Sequence, residues 1–244
     1  MRRRVMMLSC ESTSEEIRSA RPDTAILPVG STEQHGPHLP VCTDALIAGQ
    51  VATAICERTG ALLLPTLPYS TCREHRGSSG TVWMNASTFD ALIRDMAACL
   101  REQGIRRLVL LLAHGGVFIA GPTTREINSD SPDIKVIRVD LSILPASPER
   151  AAILECRDNL HACESETSLM LHLAGHLVRR DRIVDCVPQV PRDFLNYQPI
   201  FKYSPAGVWG RPSLASREKG AALFELLVRD CISYINSVNA ALEL

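Results

Sequence analysis

Three separate stretches of the chain carry side chains of the kind that hold divalent cations. The first runs from Gly30 to Asp44 and contains Glu33, His35, His38 and Asp44; the second contains Glu74 and His75; the third is His114 with Gly115 and Gly116. Glu33 and His35 stand two apart, so in an extended segment both side chains project to the same side. Asp44 falls where a helical pattern begins and can close the site from the opposite wall. A mixed set of carboxylate oxygens and imidazole nitrogens suits Zn or Mn, and an anionic aspartate can bridge two such ions about 3.5–4 Å apart. The chemistry within reach is activation of water for hydrolysis. Glycines at 36, 115 and 116 let the backbone approach a ligand closely. The plainer alternative is a set of polar loop residues with Asp44 as a helix cap. His172 and His176, four apart on a helical pattern, could also pair on a metal. No carboxylate accompanies them, and they read as surface or subunit-contact histidines.

Such segments need a scaffold that brings distant loops together. Short apolar runs at 24–29, 61–64, 108–112 and 134–139 read as strands. Helical patterns lie at about 44–59, 87–103, 118–129, 164–177 and 217–236. The run 108–112 is apolar at every position, as in a strand buried on both faces, and the alternation of element types predicts βαβ units around a parallel sheet. All three ligand-bearing stretches follow strands, where open α/β sheets bind their ligands. Ser87 with Asp90 three residues later predicts the start of one helix, and Gly104 its stop. The stretch 183–215 is rich in Pro, Gly and aromatics, including Tyr197, Tyr203 and Trp209. Irregular segments of that length serve as lids or binding loops, and these aromatics either line a pocket or anchor the segment to the body of the protein.

A chain of 244 residues, 45% hydrophobic, is long enough for one sizeable domain spanning 1–244. Its 26 basic and 27 acidic residues are interspersed, so neither nucleic acid nor an anionic membrane is an expected partner. The basic opening Met1–Arg4 is followed by an apolar run, Val5–Leu8, too short for a signal-peptide core, and no stretch approaches the length of a membrane helix. The expected location is cytoplasmic. Nine cysteines without a C-x-x-C pair read as reduced thiols.

The run Leu27-Pro-Val-Gly-Ser-Thr-Glu-Gln-His-Gly-Pro-His-Leu-Pro-Val-Cys-Thr-Asp44 strongly resembles the signature of the creatininase (creatinine amidohydrolase) family. The likeness continues in order through Glu74-His75 with Gly80-Thr81, His114-Gly-Gly, His161-Ala-Cys-Glu-Ser-Glu-Thr-Ser168 and Gly207-Val-Trp-Gly210. The resemblance implies an α/β three-layer sandwich with a mainly parallel central sheet and a homo-oligomer, often a hexamer. It also implies a centre of two divalent metal ions, Zn or Mn with Fe as a further option. Under it, Glu33 and His114 hold one ion, His35 the other, and Asp44 bridges them. Glu166 completes the second subsite, with Glu164 a rival two residues earlier. His161 would stand near the substrate and move protons, assisted by Glu166 or Asp158. Glu74, His75 and Ser79 would bind substrate or form the pocket wall.

Departures from the pattern bear on the substrate. In creatinine-hydrolysing members a liganding Glu follows the metal-binding histidine by two residues, and tryptophans precede the His-Ala-Gly segment. Here that position is Gly116, no Trp lies between His114 and His161, and Val117 and Cys163 also depart. The ligand set is kept while the pocket has changed, so the expected small-molecule substrate is not creatinine. It is a cyclic amide, formamide or small peptide-like compound whose C–N bond is cleaved by metal-activated water. The alternatives are a lactone or phosphoester hydrolase on the same centre, or a non-catalytic metal-holding descendant.

Overall fold

A computed structural model describes residues 7–242; the basic opening Met1–Arg4, with Val5 and Met6, lies outside them. The helices are α1 (Ser14–Ala20), α2 (Thr43–Thr59), α3 (Ala86–Glu102), α4 (Ala120–Asp130), α5 (Pro148–Ala151), α6 (Glu164–Ala174) and α7 (Arg217–Ala241). The strands are β1 (Thr24–Val29), β2 (Leu62–Leu63), β3 (Arg107–Leu112) and β4 (Lys135–Asp140), all parallel, in the order β2-β1-β3-β4.

The side-chain alternation of β3 explains the layers. Leu108, Leu110 and Leu112 point to one face and pack with Phe89, Ile93 and Ala97 of α3 and Ile127 of α4. Val109 and Leu111 point to the other and pack with Val51 and Ile55 of α2, Met170 of α6 and Leu227 of α7. These five residues, Leu108 to Leu112, are fully buried, which is why the sequence lacks polar positions there. Each such side chain contributes about 1.5–3 kcal/mol by leaving water. The result is the expected α/β three-layer sandwich with a parallel central sheet.

Several boundaries differ from expectation. The edge strand β2 is only two residues long, paired through Ala25 with Leu62 and Ile26 with Leu63. Ser87 does not open α3: the helix begins one residue earlier after Asn85, and Asp90 instead accepts from Thr123 Oγ1 at 2.6 Å and from Arg94 Nε at 2.8 Å. α6 gives way to a 3-10 turn at Gly175–Leu177, and α7 runs on to Ala241. α1 went unread because none of its residues is buried, so it has no apolar stripe; its signal was the capping box between Thr13 and Glu16.

Register carries the fold to the site. Val29 pairs with Leu112 and Leu112 with Asp140, so three strands end in line and deliver their following loops to one edge. β1 has β2 on one side and β3 on the other, so the chain's winding reverses between β1 and β3, where a crevice opens. Among the described residues no helix is long and apolar enough to cross a membrane, and the nine cysteines are free.

Candidate metal centre

The loop after β1 turns inward at once. Glu33 N donates to Val41 O at 2.9 Å, which folds residues 33–41 into a closed excursion and returns the chain to α2. Glu33, His35 and Asp44 are thereby buried together, at 0%, 1% and 2% exposure. The loop after β3 adds His114, and the first turn of α6 adds Glu166.

These side chains converge as three overlapping groups: Glu33, Asp44 and His114; His35, Asp44 and Glu166; and Glu33, His35 and His161. Within each group the ligand atoms lie within 4.8 Å of one another. Asp44 divides its oxygens: Oδ1 stands 3.1 Å from His35 Nε2, while Oδ2 stands 3.3 Å from His114 Nδ1 and accepts from Ser31 Oγ at 2.8 Å. His114 Nδ1 is also 3.2 Å from Glu33 Oε1. Atoms that share a tetrahedral ion at about 2.0–2.2 Å stand roughly 3.3–3.6 Å apart, close to these separations.

Glu33 decides the fit to a cation. Its carboxylate is fully buried, yet neither oxygen accepts a hydrogen bond among the described residues, although imidazole nitrogens of His114, His75 and His161 converge on Oε1 at 3.2, 3.3 and 3.6 Å. A buried carboxylate without hydrogen bonds is costly unless positive charge compensates it. The donor set is all oxygen and nitrogen, as Zn and Mn prefer.

The electrostatics are those of a site crowded with charge. Burial opposes charge on His35, but Asp44, Glu166 and Glu33 outweigh it and push its pKa up to about 10. His114 is likewise driven well above its usual range, with Glu33 and Asp44 outweighing burial. Burial raises Glu166 to about 7; Asp44 and Glu33 add to the rise and His35 opposes it. Burial, reinforced by His35 and His75, holds His161 well below the usual histidine range.

His161 is held by the segment after residue 183. Its backbone exchanges hydrogen bonds with Trp209, at 3.1 Å and 2.8 Å, and Ala162 just after it adopts a left-handed φ of 49°. A non-glycine residue there is strained, and strain of this kind gathers at functional sites. His161 Nε2 donates to Gln34 O at 2.8 Å, which leaves the Nδ1 lone pair facing Glu33. Gln34, which the sequence reading passed over, is a hub: its Nε2 donates to His75 Nδ1 at 2.9 Å and to Gly207 O at 3.1 Å, while its Oε1 accepts from Gly36 N at 2.9 Å. Gly207, with φ of 69°, must lack a side chain, because a Cβ would overlap the Gln34 amide. The only sequence signal for Gln34 was its place between two ligand-type residues.

A cavity of about 1280 Å³ opens over the cluster. Asp44, Glu74, His75, His114, His161 and Glu166 face it, as do Arg192 and Tyr197 from the irregular stretch. Arg192 also donates to Gly115 O at 2.7 Å. Tyr197 thus lines the cavity, whereas Trp209, 4% exposed, anchors the segment. Two sequence-level assignments do not hold geometrically. Asp158 is solvent-exposed and forms no part of the cavity wall, which its neighbours Asn159 and Leu160 supply; Ser79 is likewise exposed and outside the wall. Closeness in sequence to wall residues does not carry either of them into the wall. His172 packs against Phe224, with ring centroids 5.9 Å apart, and is not among the residues that line the cavity. Glu164, the rival of Glu166, is engaged elsewhere: it accepts from Cys156 N at 2.8 Å and Lys219 Nζ at 2.6 Å.

The fold and this cluster define an α/β protein with a polar, cation-compatible centre at the carboxyl ends of its strands. A family model described as "Creatininase: Creatinine amidohydrolase" matches residues 10–235, and the chain belongs to the creatininase family, acting as a hydrolase on carbon–nitrogen bonds. It is 33% identical over 235 residues to the creatinine amidohydrolase of Pseudomonas putida, covering 88% of this chain and 89% of that one. It is 30% identical over 247 residues to the mycofactocin precursor peptide peptidase of Mycobacterium ulcerans (strain Agy99), covering 92% and 88%. Among solved structures, one titled "Creatininase Mn" superposes with a TM-score of 0.82 at 28% identity, covering 95% of this chain and 98% of the other. A mutant creatininase of the Zn-Zn type superposes with a TM-score of 0.79 at 27% identity, covering 96% and 97%.

Proposed function

We propose that the protein hydrolyses an amide-type C–N bond in an extended, peptide-like small molecule, using two divalent cations, Zn or Mn. The observation that carries this reading is Asp44, whose two carboxylate oxygens face two different histidines, one in each of two ligand groups. Glu33, Asp44 and His114 would hold one cation, and His35, Asp44 and Glu166 the other. When bound, the cations supply Lewis-acid polarisation of a carbonyl oxygen and acidification of a water nucleophile.

The chain's own residues do the rest. His161, kept neutral by burial, has its Nε2 proton committed to Gln34 O and its Nδ1 free toward the reacting centre. That nitrogen can take a proton from water and hand it to the departing nitrogen. Glu166, raised to about 7 in the absence of a cation, would give up that proton on serving as a ligand. The cavity of about 1280 Å³ is far larger than one small ring requires. The similarity to a peptide peptidase points in the same direction. A homo-oligomer and a cytoplasmic location belong to this reading as well; sedimentation mass and cell fractionation test them.

Elemental analysis of the purified protein tests the centre. About two equivalents of transition metal are expected, falling to one or fewer in His114→Ala; none after reconstitution removes the hydrolase reading. His161→Asn is expected to keep both equivalents while losing turnover roughly 10²- to 10⁴-fold. A panel of formamides, cyclic amides, short peptides, lactones and phosphate esters identifies the bond, and turnover confined to the last two classes would overturn the amide assignment.

A further inference from the structure

This inference rests on the two-cation reading and concerns how the Glu33–His114 subsite is held. We propose that the 3-10 turn Arg73–His75 braces that subsite, Glu74 fixing His114 and His75 fixing Glu33, so that both are positioning residues besides forming part of the cavity wall.

The two nitrogens of His114 face different neighbours. Nδ1 points at Glu33 Oε1 and Asp44 Oδ2, at 3.2 Å and 3.3 Å, while Nε2 faces Glu74 Oε1 at 3.3 Å. A carboxylate on the far nitrogen cannot share a cation with the near one, and Glu74 belongs to none of the ligand groups. The contact is an electrostatic one without hydrogen-bond geometry, and a carboxylate in that place favours the ring proton on Nε2 and the lone pair on Nδ1. Carboxylates behind ligating imidazoles fix the tautomer and raise the basicity of the ligand. His75 makes the matching contact. Its Nδ1 accepts from Gln34 Nε2 at 2.9 Å, so its proton resides on Nε2, which faces Glu33 Oε1 at 3.3 Å. Adjacent residues of one turn therefore each back a different ligand of the same subsite.

The turn is anchored where the argument needs it. His75 N donates to Cys72 O at 3.1 Å, and Thr71 Oγ1 donates to Gly116 O at 3.0 Å, which ties this loop to the loop that carries His114. Gly116 makes the arrangement possible, since a Cβ there would overlap both Glu74 Oε1 and His114 Nε2. A carboxylate thus reaches His114 from residue 74, through space that any side chain at residue 116 would take.

The test is a chelator-competition titration of the full-length protein with Zn, comparing the parent with Glu74→Ala, Glu74→Gln and His75→Asn. His114→Ala and Glu166→Gln serve as markers for the two binding steps. In Glu74→Ala the step lost in His114→Ala is expected to weaken roughly 10- to 100-fold, while the step lost in Glu166→Gln is unchanged. Glu74→Gln, which keeps an acceptor oxygen without the charge, should fall between parent and Glu74→Ala, and His75→Asn should weaken the same step. Parent-like affinities at both steps overturn the proposal. So do two steps weakened equally together with a lower Tm of the metal-free variant, the signature of a general folding role. A parent that binds no cation would instead remove the two-cation reading itself, and the brace with it.

Discussion

Helix α6 carries two glutamates, two residues apart, in opposite circumstances. Glu164 is fully buried and fully answered: the backbone N–H groups of Glu155 and Cys156 donate to it, and Lys219 Nζ pairs with it at 2.6 Å. Burial alone would raise its pKa, but Lys219 and those N–H groups outweigh burial and lower it. Glu166 faces the other way, toward Asp44 and Glu33, and burial among like charges lifts it to about 7. Glu33, the buried neighbour of Glu166, has no hydrogen bond at either oxygen among the described residues. A carboxylate that its own protein has satisfied holds the fold together; one left bare in the interior is kept for something the protein must bind. Within α6 the division runs between Glu164, held by Lys219, and Glu166, turned toward the cluster.

The sharpest way to break that contrast is Glu33→Gln. The substitution keeps shape and removes charge, so turnover is expected to fall at least about a thousandfold with loss of one metal equivalent. Far-UV circular dichroism should be unchanged. Full activity with full metal content would show that the bare carboxylate is not functional.

Much of this was legible in the chain. The sheet was readable because buried parallel strands leave uninterrupted apolar runs such as 108–112, and the cluster's members because Glu33, His35, Asp44 and His114 lie in the stretches that follow strands. What the sequence did not carry was direction. Nothing in the spacing tells that Glu164 turns toward Lys219 and Glu166 toward His35; that depends on where α7 crosses α6. Nor does closeness in sequence mean closeness in space, as Asp158 and Ser79 show. Gln34 reaches hydrogen-bond partners 41 and 173 residues away, and Glu74 meets His114 40 residues away, separations that no local pattern encodes.

A second test compares Glu164→Gln with Glu166→Gln by thermal unfolding, each with and without metal. Glu164→Gln leaves the Lys219 ammonium without its buried partner, and the expected loss is about 2–4 kcal/mol, a Tm lowered by roughly 5–15 °C, whether or not metal is present. Glu166→Gln should leave the metal-free Tm near the parent value and remove only the extra stability that metal confers. Equal losses in both variants would erase the distinction between the two glutamates.

The smallest effect is also the most specific, because the two carboxyls respond to pH with opposite signs. Glu164 has its pKa lowered in the folded state, so its stabilisation is present above the unfolded value near 4.5 and is lost as pH falls through the folded value. Glu166 has its pKa raised to about 7, so in the metal-free protein its contribution favours folding at low pH and is lost as pH rises from about 4.5 through 7. The groups facing Glu164 are Lys219, which stays charged across this range, and, through that ammonium, Glu155. In a plot of metal-free unfolding free energy against pH, Glu164→Gln should therefore flatten the acid limb below pH 4.5, and Glu166→Gln should flatten the decline between 4.5 and 7. Each change is at most about 1.4 kcal/mol per pH unit, the slope of one proton. If both substitutions altered the same limb, the two carboxyls would share one environment and the division of α6 into a structural and a functional side would fail.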